Sequence, residues 1–328
     1  MRNKLTYYFI LVFIFLNFNA FSDNYQKKLP VDTSYTLHSA YCKLIKEYPF
    51  IKIPELKFKD SVKIAVNIEY SEINGRSLSL DLYSPVDKKE NLPVVILIHG
   101  GGWSSGNKKM NEAVAVCLAK KGFICASVEY RLSPEELYPA AMYDIKSSIK
   151  WVRQNAHSIG ADKNKIAIMG FSSGAQMASL AAATNKTSKF LIDNADSSLI
   201  DVQAIINVDG ILAFIHPESE EGIDKPGKLS SATRWLGAPK NENADIWKDA
   251  SSLIHASNTF PPILFINSKY PRFHAGRDDL ITILDSLNIY SEIHVLSDAP
   301  HSFWLFEPWF SKTIDYSLKF LNKILKND

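Results

Sequence analysis

Residues 165–174 read KIAIMGFSSG, an apolar run that delivers the chain straight into Gly170-Phe171-Ser172-Ser173-Gly174. The run Ile166-Ala167-Ile168-Met169 is apolar on both faces, as a strand is when a parallel sheet is covered by helices on both sides. Glycines two residues before and two after Ser172 allow a sharp turn with strained backbone at the serine. Residues 173–183 are small and alanine-rich, so a helix follows, and its first turn points free N–H groups at Ser172. Strand, tight turn and helix together predict a nucleophilic Ser172 at the carboxyl end of a buried strand. A bare Gly-x-Ser-x-Gly also occurs as an ordinary turn, and the flanking strand and helix separate the two readings.

The same pattern repeats outward. Apolar runs at 93–98, 123–128, 202–208 and 262–266, with a last strand at 291–296, alternate with helical stretches at 111–121, 140–155, 278–287 and 311–325. Strands alternating with helices predict a doubly wound, mostly parallel α/β sheet. Ahead of it, 62–70 and 77–83 alternate polar and apolar residues around Asn74-Gly75, which predicts an antiparallel hairpin. Residues 23–61 form an N-terminal extension, and 62–328 form one domain. Within that domain, 210–260 is long, polar and aromatic, and the pattern predicts a lid-like insertion that carries short helices and walls a site.

Composition narrows the classes. The chain has 328 residues, 46% hydrophobic and 22% charged, with a net charge of +2. Nothing in that balance points to nucleic acid. Arg2 and Lys4 precede an apolar run from Leu5 to Phe18, and Ala20 and Ser22 stand at −3 and −1 before Asp23. The run is shorter than the roughly 20 residues of a membrane span, so residues 1–22 read as a signal peptide. The expectation is export to the periplasm or the outside, with no stable membrane anchor after cleavage. Cys42, Cys117 and Cys125 cannot all be paired; Cys117 and Cys125 sit among apolar neighbours and read as buried thiols, and no zinc spacing is present.

Two further stretches carry chemistry. Ile98-His99-Gly100-Gly101-Gly102-Trp103 ends another buried strand, and its glycines let backbone N–H groups face a substrate without Cβ clashes. Gly101 and Gly102, with the N–H of Ser173, are the expected donors of an oxyanion hole. A phosphate loop is the alternative reading of so many glycines, but no Lys-Ser/Thr follows. The third stretch is Ala299-Pro300-His301-Ser302-Phe303, after the last strand, where His301 is placed to act as general base.

HGGGW, VEYRLSPE at 128–135, GFSSG and PHSFW occur in that order, and together they resemble the hormone-sensitive-lipase-like and feruloyl/acetylxylan-esterase-like α/β-hydrolases from about residue 62 onward. More narrowly, FINSKYPRFHAGRDD at 265–279 with PHSFWLFEPWF at 300–310 resembles exported bacterial esterases of pectin and xylan. The resemblance implies the α/β-hydrolase fold, a Ser–acid–His order and two-step acyl transfer without metal or organic cofactor. It also implies acetyl, methyl or feruloyl esters on polysaccharide as substrates. A general short-chain carboxylesterase, an exopeptidase and a non-catalytic carbohydrate-binding relative are the alternatives.

The chain departs from that family at the acid. Most members of that family carry Gly-x-x-Asp after the penultimate strand; here the position reads Asn267-Ser268-Lys269-Tyr270. Asp209, one strand earlier, is the favoured substitute, with Asp278 as fallback and Asp279 behind it, although the last two also suit a helix N-terminus. The basic loop 271–277 reads either as solvated or as presenting Arg272 or Arg277 to a uronate carboxylate. Trp103, Trp304 and Trp309 could offer flat faces to sugar rings, Trp309 being equally suited to the core. Arg131 reads as a loop anchor.

Overall fold

The computed structural model describes residues 32–56, 59–87, 90–191 and 196–326. The signal-peptide reading of 1–22 lies outside the described residues. Eight strands, β1 (Val62–Ile73), β2 (Arg76–Pro85), β3 (Leu92–Ile98), β4 (Ile124–Val128), β5 (Ala161–Phe171), β6 (Ala204–Val208), β7 (Ile263–Asn267) and β8 (Ser291–Val295), make one sheet. Their order is β1-β2-β4-β3-β5-β6-β7-β8. The β1/β2 and β2/β4 pairs are antiparallel, and every pair from β4/β3 to β7/β8 is parallel. The hairpin turns at Asn74 and Gly75, both with positive φ, as a tight two-residue turn requires.

The helices are α1 (Leu37–Leu44), α2 (Glu112–Lys120), α3 (Ala140–Gln154), α4 (Ala156–Ile159), α5 (Ser173–Ala183), α6 (Ser231–Leu236), α7 (Ala244–Asp249), α8 (Arg277–Ser286) and α9 (Trp309–Leu325). Because successive strand residues point to opposite faces, β3 feeds two cores. Val94, Ile96 and Ile98 pack with Met142, Ile145 and Ile149 of α3 and Met177 and Leu180 of α5. Val95 and Leu97 pack with Val114 and Leu118 of α2 and Phe320 and Leu321 of α9. Burying each such Leu or Ile contributes about 1.5–3 kcal/mol, so both faces hold the central strands in place beneath the site. Helix α5 is buried along its whole length, which explains its run of small residues.

The extension packs across the domain. Thr36 and Ser39 form a capping box at the start of α1, Tyr41 meets Phe306, and Tyr48 meets the edge of Trp309. Insertion 210–260 carries α6, α7 and a short 3-10 turn. It is pinned by Phe214, Trp235 and Trp247, all buried, with Trp247 edge-on to Phe214. Trp309 is wholly buried and belongs to the core. Cys125 is buried, Cys117 half-buried and Cys42 exposed, and all three are free. Arg131 grips the buried Asp144 at 2.8 Å and Ala140 O at 3.1 Å, anchoring the loop after β4 to α3. Among the described residues no helix is long and apolar enough to cross a membrane.

Candidate active site

β5 runs into Ser172 at the centre of the sheet, and α5 begins at the next residue. Ser172 has φ 53° and ψ −121°, a conformation an L-residue holds only when its surroundings enforce it. The enforcement is close packing: a Cβ on Gly170 would lie 2.2 Å from Gly174 O, and one on Gly174 would lie 2.3 Å from Ile98 O. The Ser172 N–H donates to Val208 O at 2.9 Å, which ties the turn to the end of β6.

Ser172 Oγ stands 2.9 Å from His301 Nε2. His301 Nδ1 stands 2.9 Å from Asp209 Oδ2, and Asp209 Oδ1 accepts the Ser268 N–H at 2.7 Å. The Asp209 side chain is fully buried, and that of His301 is 25% exposed at the cleft floor. Asp209 also has positive φ, 53°, so two of the three residues in this relay sit in strained backbone at strand ends. Parallel pairing explains the reach: Val208 is in register with Ile266, which sets Asp209 beside the end of β7. There Ser268, just past the end of β7, supplies a backbone donor to the Asp209 carboxylate.

The loop after β3 folds back on itself. Gly101 has φ +135°, and a Cβ there would lie 2.0 Å from Ser105 O. Gly101 O accepts the Ser105 N–H at 3.1 Å and the Ser105 hydroxyl at 2.7 Å. Among the described residues no acceptor takes the N–H of Gly101, Gly102 or Ser173, and all three residues line the cleft beside Ser172. Beneath the loop His99 is buried, donates from Nδ1 to Gly100 O at 2.9 Å and stacks on Tyr130. Burial lowers its pKa to about 4, so it is neutral and structural.

The cleft is about 680 Å³. Insertion 210–260 supplies one wall through Ile211, Glu221, Ile223 and Ser231, and the extension contributes Asp32 and Tyr35. Burial raises the Glu221 carboxyl above its ordinary value, against the pull of Arg272. Arg272 reaches the cleft, bonded to Glu220 at 3.4 Å.

Five sequence readings need correction. Asp278 does not meet His301: it pairs with Arg277 at 2.8 Å on the first turn of α8, and Asp279 pairs with His216 at 3.3 Å. Arg277 is not a cleft residue, because its guanidinium is taken up by Asp278 and by Asn267 Oδ1 at 2.9 Å. Trp103 borders the cleft but is 5% exposed, covered by the stacked ring of Trp235 at 5.2 Å, with its N–H on Gln176. Trp304 is 3% exposed, stacked on Phe171 with His301 edge-on at 5.2 Å, so it buttresses the histidine and shows no face to a ligand. Indole burial satisfies the largest apolar areas in the chain, and packing took that option at both positions.

Sequence reading missed Phe273, stacked on His301 at 3.6 Å, and Tyr35, whose hydroxyl meets Ser302 at 3.1 Å. Tyr35 carried no signal, being 267 residues from its partner. Phe273 lay inside the loop already singled out for its arginines.

Comparison with known proteins agrees with this architecture. A truncated carbohydrate esterase from gut microbiota, 22% identical, superposes with a TM-score of 0.67 over 84% of this chain and all of that one. The fold is therefore the α/β-hydrolase fold. The probable carboxylic ester hydrolase LipM of Mycobacterium tuberculosis is 29% identical over 240 residues, 71% of this chain and 52% of the relative. Esterase LipC of the same organism is 26% identical over 206 residues, 62% of this chain and 49% of the relative. The chain thus spans about half the length of the curated relatives it matches. The BD-FAE family model matches residues 80–292, a span holding the glycine loop, Ser172 and Asp209, and the chain belongs to the BD-FAE family.

Proposed function

We propose that this protein is a serine hydrolase that cleaves carboxylic esters through an acyl-enzyme. The observation that carries the reading is the relay from Asp209 through His301 to Ser172, two contacts of 2.9 Å ending at a serine in strained backbone. His301 takes the Ser172 proton as the oxygen attacks the ester carbonyl. Negative charge on the carbonyl oxygen meets the N–H groups of Gly101, Gly102 and Ser173, each such donor being worth roughly 3–4 kcal/mol in the transition state. The tetrahedral species collapses, the alcohol leaves with the proton from His301, and water activated by the same histidine releases the acid. Asp209 keeps the imidazole in the tautomer that presents a bare Nε2 to the serine. LipM and LipC, named as ester hydrolases, support the same reaction class. Labelling by a fluorophosphonate probe, lost in Ser172→Ala, tests this; an unlabelled wild-type protein would sink it.

The substrate we favour is an acetyl, methyl or feruloyl ester on a polysaccharide such as pectin or xylan. Support comes from the cleft, whose rim is set with charged and hydroxyl side chains, among them Asp32, Lys225, Ser230 and Arg234, which suit a sugar better than an alkyl chain. The structural neighbour from gut microbiota, a carbohydrate esterase, points the same way. Arg272 is the guanidinium we assign to an acidic sugar. Release of acetate or methanol from pectin and xylan, compared with hydrolysis of 4-nitrophenyl butyrate, measures the preference. Activity confined to the aryl ester would leave a general carboxylesterase.

A further inference from the structure

His301 is bonded at both ring nitrogens, yet two in-line contacts leave an imidazole free to swing about the axis joining them. Its faces must be held by something else. The Phe273 ring lies 3.6 Å from the His301 ring, centroid to centroid, with only 10° between the planes. The Arg272 guanidinium carbon is 4.3 Å from the Phe273 centroid. At these separations two planar groups cannot share one face of the phenyl ring, so Phe273 is sandwiched between Arg272 and His301. Glu220 Oε2, from the insertion, meets Arg272 at 3.4 Å, and Tyr270 packs edge-on against Phe273 at 6.3 Å. Beside the histidine stands the edge-on Trp304. Phe273 comes from the loop after β7, the loop that holds no acid in this chain.

We propose that Phe273 is a positioning residue: its flat face, clamped by Arg272 and Glu220, fixes the plane of the His301 ring so that Nδ1 and Nε2 meet Asp209 and Ser172 together. The assignment rests on the ester-hydrolase reading for its kinetic consequence, but not for its geometric one. Misplacing a base by about an ångström costs on the order of a hundredfold in rate, so the face is worth holding. Phe273→Leu keeps the apolar bulk and loses the flat face; Phe273→Tyr keeps both.

With 4-nitrophenyl acetate, Phe273→Leu lowers kcat at least tenfold with KM changed less than threefold, and Phe273→Tyr retains kcat within threefold. Independently of turnover, the downfield proton resonance of the His301 Nδ1–H on Asp209 is sharp in wild type and Phe273→Tyr and broadened in Phe273→Leu. A loss in Phe273→Leu smaller than tenfold, an equal loss in Phe273→Tyr, or an unbroadened proton line in Phe273→Leu overturns the assignment. A wild-type protein inert toward esters would overturn the hydrolase reading instead, and the proton line would still decide the role of Phe273.

Discussion

Asp209 Oδ2 lies 2.9 Å from His301 Nδ1 across 92 residues of chain, and the carboxylate is held there by the Ser268 N–H at the end of the neighbouring strand. The acid of this relay is thus carried just past the end of β6 and braced from just past the end of β7.

That division of labour gives a graded mutational series. Ser172→Ala should abolish turnover, a loss of about a millionfold by analogy with other serine hydrolases. Asp209→Asn should cost about ten-thousandfold, through the wrong imidazole tautomer. Asp278→Asn removes only a surface pair with Arg277 and should leave kcat within twofold. Steady-state kinetics on 4-nitrophenyl acetate ranks the three, and a greater loss at Asp278 than at Asp209 would reverse the assignment.

Gly101→Ala should damage the glycine loop out of proportion to its size. The new Cβ would meet Ser105 O at 2.0 Å from a backbone with φ +135°, so the loop must move and two of the three unpaired N–H groups move with it. A fall in kcat of about a hundredfold or more is expected, with fluorophosphonate labelling of Ser172 slowed in parallel. Labelling at the wild-type rate would separate the loop from the oxyanion.

Acid should weaken the fold through His99. Burial lowers its folded-state pKa to about 4, against about 6.5 in an unfolded chain. Between those values the unfolded chain binds a proton that the folded one does not. Stability from this group is therefore full above pH 6.5, falls as pH drops toward 4, and changes no further below it. The span amounts to about 3 kcal/mol. Urea midpoints measured from pH 7 to 4 should fall less steeply in His99→Asn, which keeps an N–H for Gly100 O. Equal slopes would show that His99 is not the titrating group.

Export is checked at the N-terminus. Expressed from its full gene in a bacterial host with a Sec system, the mature protein should begin at Asp23, as read by Edman degradation or intact mass. A chain still carrying Met1 in the soluble fraction would argue against cleavage there.

Much of this molecule follows from short-range pattern. Runs such as 93–98 and 166–169 are apolar on both faces, too short for a helix and bounded by turns, which marks them as buried strands, and the small residues around Ser172 and after His99 permit turns that larger ones forbid. Helices α1, α4, α6 and α7 could not be given bounds from the sequence, because each is eight residues or fewer and offers too few turns for a period to register.

The sequence by itself therefore determined the parallel α/β sheet, the strand ends bearing Ser172 and the glycine loop, and the loop after the last strand bearing His301. Each rests on residues within about ten positions of one another. Tertiary structure alone decided which carboxylate meets His301, because that depends on the register of β6 against β7 rather than on anything near Asp209 in the chain. It also decided that Trp103 and Trp304 are buried supports, that Arg277 is spent on Asn267 and Asp278, and that Phe273 covers the histidine. Whether an aromatic face or a guanidinium is free is a matter of what packs against it, and its partners come from distant segments.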